Sequence, residues 1–137
     1  MNTVITKTIV LLAKKILLSF ARKLEKNGGK EMKIWVDDVR TPPKGYKWCK
    51  TVNEAKWAIN YAEEMLAKTK DSYYKLELVD IDHDAGQYAS DGGDYIKLLD
   101  WLEETGRNYP IRIHSMNPVG VANMRLIIQK NNWREVR

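Results

Sequence analysis

Met32-Lys33-Ile34-Trp35-Val36-Asp37-Asp38 is a short apolar run that stops on two carboxylates. Its length and its Ile, Trp and Val content predict a buried strand that delivers acid to its carboxyl end. The same device returns twice. Tyr74 to Ile81 reads as a strand and runs straight into Asp82-His83-Asp84, and Pro110-Ile111-Arg112-Ile113 closes on His114-Ser115. Between these runs the pattern changes period. Thr41-Pro42-Pro43-Lys44-Gly45 forbids helix continuation and marks a loop. Tyr46 to Val52 alternates as a further strand, and Asn53 is placed to cap a helix through Ala55, Ile59, Ala62 and Leu66. Lys68 to Asp71 is a polar break.

A loop with Gly86, Gly92 and Gly93 leads to a second helix over Tyr95 to Leu102, stopped by Thr105-Gly106. Val121 to Lys130 predicts a last helix, and Trp133 to Val136 a short terminal strand. Strands alternating with helices predict an α/β fold with a mostly parallel sheet of four or five strands. In such sheets ligands gather at the carboxyl edge, which is where this chain keeps its unusual residues.

The chain has 137 residues, a formal charge of +5 and 44% hydrophobic residues, which suits one domain and excludes a wholly disordered chain. Cys49 is the only cysteine, so an internal disulfide and a Cys-based zinc site are both excluded, and a reducing, cytoplasmic setting is expected. A basic chain suggests nucleic acid, but the excess is local. Residues 1–31 carry seven basic and two acidic side chains. Residues 32–137 then hold 23 − 7 = 16 basic and 18 − 2 = 16 acidic ones, a net of zero.

The chain divides accordingly into a basic extension, 1–31, and a neutral domain, 32–137. Ile5, Ile9, Leu12, Ile16, Phe20 and Leu24 recur at helical spacing, opposite Lys7, Lys14, Lys15, Arg22 and Lys26. Asn27-Gly28-Gly29 ends this predicted amphipathic helix. No transmembrane segment and no secretory signal is expected, since the longest charge-free stretch is far too short. Three readings compete for the helix. It contacts a membrane surface or a protein partner through residues 4–26, it packs on the domain, or it is not native coding sequence. The third rests on Gly28-Gly29-Lys30-Glu31-Met32, which a purine-rich ribosome-binding stretch before a start codon would encode.

Parallel strands would bring Asp37, Asp38 and Arg40, then Asp80, Asp82, His83 and Asp84, then His114, Ser115 and Asn117 into one cleft. Both histidines of the chain fall there. Crowded carboxylates repel, so packing alone is a poor reason for them. Two chemistries fit. Carboxylates from two strand ends can hold a hard cation such as Mg²⁺, which polarises a phosphoryl oxygen. Alternatively, His83 and His114 can flank a phosphate as general base and general acid, oriented by neighbouring acids such as Asp82. Arg40, Ser115 and the Asn117 amide suit phosphate oxygens. Asp37, Asp38 and Asp84 are the candidate metal ligands. Trp35 and Trp101 read as packing, whereas Tyr46, Trp48 and Tyr88 lie nearer the rim, where an aromatic ring could stack on a base.

Val36-Asp37-Asp38-Val39-Arg40-Thr41-Pro42-Pro43, Asp82-His83-Asp84, Gly92-Gly93-Asp94-Tyr95-Ile96-Lys97 and His114-Ser115-Met116-Asn117-Pro118-Val119-Gly120-Val121-Ala122-Asn123-Met124 together resemble the cyclic-phosphate-processing receiver domain family. The resemblance runs from Met32 to about Trp133. It implies a receiver-like three-layer sandwich and a phosphoesterase acting on a cyclic phosphate of a nucleotide or RNA end, with a role in RNA repair. It also places Asn123 among the substrate-binding positions. A clear fifth strand with a phosphate-binding lysine is missing, which disfavours aspartyl-phosphate signalling. The rival expectation is a non-catalytic receiver-like module that binds a nucleotide or a protein partner.

Overall fold

A computed structural model describes residues 7, 9–16 and 31–137. Four strands, β1 (Met32–Val36), β2 (Tyr46–Cys49), β3 (Leu76–Ile81) and β4 (Ile111–Ile113), form one sheet in the order β2-β1-β3-β4. All pairings are parallel, and Val36 lies level with Cys49 on one side and Ile81 on the other. The strands therefore end together, and their acid-bearing extensions share one edge. The expected terminal strand contracts to one bridge, Ile111 to Glu135, with Arg125 holding the Glu135 carboxylate at 2.7 Å.

Three helices, α1 (Val52–Thr69), α2 (Ile96–Glu104) and α3 (Pro118–Lys130), follow β2, β3 and β4. The crossovers from β2 to β3 and from β3 to β4 advance in the same direction. Right-handed connections then put their helices on one face, and α1 touches α2 while α2 touches α3. Ile34, Val36, Val79, Ile81 and Ile111 pack under them with Ala55, Ile59, Leu98, Leu99 and Met124 in one apolar core. Each such aliphatic side chain contributes about 1.5–3 kcal/mol on burial. These helices supply one outer layer of the receiver-like α/β sandwich. The link from β1 to β2 contains no helix, although parallel neighbours are usually joined by one.

Two helix starts differ from the sequence expectation. β2 stops at Cys49 because Thr51, not Asn53, caps α1. Thr51 Oγ1 accepts from the Glu54 amide at 2.9 Å, and the Glu54 carboxylate reaches back to the Lys50 amide at 3.3 Å, close to a capping box. Asn53 is left to donate to Asp91 at 2.8 Å. Likewise α3 begins at Pro118 rather than Val121, since Asn117 Oδ1 accepts from the Gly120 amide at 3.0 Å and proline is suited to the first helical position. At the base of α1, Arg107 grips Glu63 at 2.8 Å, and Tyr109 donates to the same carboxylate.

Cys49 is fully buried, and burial pushes its thiol up to about 12, so it is an inert core residue. Residues 7 and 9–16 are helical, with Ile9, Leu11, Leu12 and Ile16 all exposed. The remainder of the amphipathic stretch, including Phe20, Leu24 and the glycine stop, lies outside the described residues. Among those described, no helix is long and apolar enough to cross a membrane. Leu99, fully buried on the inner face of α2, gives a direct check of the core. Leu99→Ala is expected to lower unfolding free energy by about 2–5 kcal/mol in urea titrations, and a loss under 1 kcal/mol would contradict this packing.

Candidate functional site

The carboxyl edge of the sheet is built outward from Asp37, which is fully buried. Its Oδ1 accepts from the Val39 and Arg40 amides, each at 2.8 Å, so the chain turns around the carboxylate as it leaves β1. Its Oδ2 lies 2.9 Å from His114 Nε2, and the other ring nitrogen of His114 lies 2.6 Å from Asp80 Oδ1. Both carboxylates are shut away from solvent. Each ring nitrogen of His114 thus faces a carboxylate of its own, and the ring links the ends of β1 and β3. Trp35 closes the arrangement, stacked on the His114 ring with centroids 3.8 Å apart and planes 6° apart. Its indole donates to the Arg40 carbonyl at 2.8 Å.

Asp37, Asp38 and Asp82 form the second part of the site. One oxygen of each lies within 4.8 Å of the others, and this trio could hold a metal ion. Their oxygens are the hard donors that Mg²⁺ prefers. Burial opposes ionisation of Asp37, but the Arg40 and Val39 amides and the His114 ring outweigh it and hold this carboxyl below its usual range. Asp38 moves the other way. Burial and the charges of Asp37 and Asp82 push it up, against the pull of its own amide. Gly86 lies so close that a Cβ there would sit 2.7 Å from Asp38 Oδ2, and its φ of +55° is also one that glycine accepts readily. Arg40 donates to the His114 carbonyl at 2.7 Å and stands 3.8 Å from both Asp37 and Asp82.

His83 forms the third part. Its Nδ1 lies 2.9 Å from Asp84 Oδ1, an exposed carboxylate that this bond, more than its slight burial, holds below its usual range. The ring lies against α3 at Gly120, where a Cβ would come within 2.4 Å of His83 Cγ. Asn117 Nδ2 approaches Asp84 at 3.3 Å, which ties the pair to the start of α3. Nothing among the described residues bonds Nε2, and no partnerless side-chain nitrogen or oxygen is buried, so Nε2 opens to solvent.

The structure thus gathers nine of the ten sequence-derived candidates. Asp82 joins Asp37 and Asp38 in the carboxylate trio, while Asp84 stands apart as the partner of His83. Ser115 Oγ accepts from the Asn117 amide at 3.1 Å and shapes the turn into α3. Asn123 is exposed a turn further along α3 and bonds none of the others. Two further residues belong to the site. Trp35 reads as core because its spacing is that of a buried strand, and Gly120 carries no signal beyond its place in the last motif.

A parallel sheet with an acidic trio after its first and third strands and Ser115 after its fourth defines a receiver-type domain. Within that class, the profile of the cyclic-phosphate processing receiver domain matches residues 32–130, and the chain belongs to that family. No curated protein and no solved structure matches the chain.

The opposite shifts in the trio carry a signed consequence. Asp38 has a folded-state pKa above its unfolded value, so ionising it costs stability at neutral pH, and the cost disappears below the unfolded value of about 3.9. In chelator, Asp38→Asn should therefore unfold at a higher temperature than the wild type at pH 7. The advantage should fade towards pH 3. A lower midpoint at pH 7 in scanning calorimetry would contradict this electrostatic picture.

Proposed function

We propose that this edge is a phosphoesterase centre that opens a cyclic phosphate on a nucleotide or RNA end, with His83 as its general base and acid. The observation that carries the reading is the unequal state of the two histidines. His114 has a carboxylate on each nitrogen, whereas His83 is oriented through Nδ1 by Asp84 and keeps Nε2 open. That is the arrangement a proton-transferring imidazole needs. The family description names cyclic phosphates as the substrate class.

In this reading water attacks phosphorus as Nε2 of His83 takes its proton. The bond from phosphorus to one ribose oxygen breaks, and the same ring returns the proton to that oxygen. A phosphomonoester and a free hydroxyl result. His114 does not transfer protons but holds Asp37 and Asp80 in place, a positioning residue. Asp37, Asp38 and Asp82 would hold Mg²⁺, whose chemistry there is to neutralise charge on phosphoryl oxygens. Arg40 and Asn117 sit where they can contact those oxygens. A reducing cytoplasm is the setting that the lone buried thiol suits.

The binding-module reading also has an observation behind it. Val39, Met116 and Val119 are 75%, 84% and 71% exposed, the first two on loops that frame this edge and the third in the first turn of α3. Turnover separates the two. With 2′,3′-cyclic nucleotides and Mg²⁺, His83→Ala should lower kcat by about 10²–10⁴-fold, with the fold unchanged by circular dichroism. Tight binding without turnover in the wild type would favour the module, and unchanged turnover in His83→Ala would exclude the histidine role. Gly120→Ala offers a check that leaves every polar group in place. Alanine suits a helix, but its methyl must displace the His83 ring, so activity should fall with some loss of thermal stability while circular dichroism shows the fold retained.

A further inference from the structure

The cations at the edge are unevenly committed. Arg40 faces Asp37 and Asp82, and His114 is enclosed by Asp37 and Asp80, so both already have carboxylate partners. Lys50, just past the end of β2, differs. Its ammonium lies 4.5 Å from the centre of the Trp48 ring and 5.9 Å from that of Tyr88, within cation–π range of both. Among the described residues no carboxylate lies within ion-pair distance of it. Its backbone is fixed on both sides, with the amide bonded to Glu54 and the carbonyl to the Tyr95 hydroxyl at 2.7 Å.

This platform adjoins the acidic trio. Trp48 donates its indole N–H to the Asp37 carbonyl at 2.7 Å, and the turn that carries Tyr88 presses Gly86 against Asp38. Along the edge the order is Lys50 after β2, the Asp37–Asp38 pair after β1, His83 after β3 and Asn117 after β4. The ends of β2 and β3, which lead to Lys50 and His83, lie two strand spacings apart, roughly 9–10 Å between backbones. At that backbone spacing the two side chains can attend different phosphates one nucleotide unit apart.

We propose that Lys50, seated between Trp48 and Tyr88, anchors a second phosphate of the substrate, the one on the 5′ side of the terminal nucleoside. The proposal rests on the cyclic-phosphate reading above and narrows it to substrates with a 5′ phosphoryl group. That group is either a free 5′-phosphate or the phosphodiester of a longer RNA. The aromatic faces hold the ammonium in place, so little side-chain freedom is lost when the anion arrives. The acids nearby set the specificity, since an anion placed off Lys50 meets carboxylates instead.

The test uses stable product-like ligands and needs no turnover. Calorimetry of the full chain with Mg²⁺ would compare adenosine 3′-monophosphate, adenosine 3′,5′-bisphosphate and a dinucleotide bearing a 3′-phosphate. The wild type should bind the bisphosphate, the dinucleotide or both about tenfold more tightly than the monophosphate. Lys50→Gln should erase that ratio and Lys50→Arg should keep it. A gain confined to the bisphosphate assigns a free 5′-phosphate, and a gain with the dinucleotide assigns an RNA end. Equal binding of all three by the wild type, or a ratio that survives in Lys50→Gln, overturns the subsite. Binding of none removes the nucleotide reading along with it. A preserved ratio without turnover of cyclic nucleotides keeps the subsite and removes the esterase.

Discussion

Two buried carboxylates from neighbouring strands, Asp37 and Asp80, share one imidazole ring, and the site is organised around that sharing. Either acid alone in the interior would face a large desolvation cost. With His114 between them at 2.9 and 2.6 Å, each carboxylate gains a ring nitrogen as partner, and β4 is tied through its first loop residue to both β1 and β3. Trp35 excludes water from one ring face. Removing one partner of such a buried group costs about 3–5 kcal/mol in comparable cases, because the other charges are left stranded. The Asp37 carboxylate that results is held low and fixed in direction. Asp38 beside it is under electrostatic pressure that a cation would relieve.

Most of the architecture is legible in residue order. Apolar runs ending in acid, separated by helical periods, give the number of strands, their parallel sense and the edge at which chemistry collects. The inexact places are those where a side chain competes for a backbone group. Thr51 and Asn53 both suit a helix cap, and composition cannot show that Glu54 completes the pairing with Thr51. Asn117-Pro118 reads as a turn from local rules, although the same two residues start α3. The terminal strand shrank to a bridge because β4 itself has only three residues against which to pair.

The site was legible as a list but not as a division of labour. Spacing brings His83 and His114 to one edge as equivalent candidates. Only the third dimension shows that one ring is enclosed by acids and the other open, because their partners lie 34 and 77 residues from His114 in the chain for one ring and one residue away for the other. Asp84 looked like part of the acidic cluster, being two residues from Asp82. The chain leaves β3 at Asp82 and bends at His83, so strand alternation no longer places Asp84, which is exposed while Asp82 is buried. Trp35 could not be distinguished from core by any local signal, since stacking on an imidazole and burial in a strand select the same side chain.

The sheet order has a consequence for how the chain comes to possess this site. The central strand β1 is first in the domain, yet its inner neighbour β3 begins more than forty residues later and β4 some eighty residues later. Pairings of such long range form slowly, because loop closure precedes any gain. Until β4 docks, Asp37 and Asp80 lack their shared ring, and the acids at the edge repel one another. During synthesis the amino-terminal half therefore waits, with its acids hydrated, for the last fifth of the chain. The pocket is a record of completed folding, and any truncation before Glu135 also takes the bridge that secures β4.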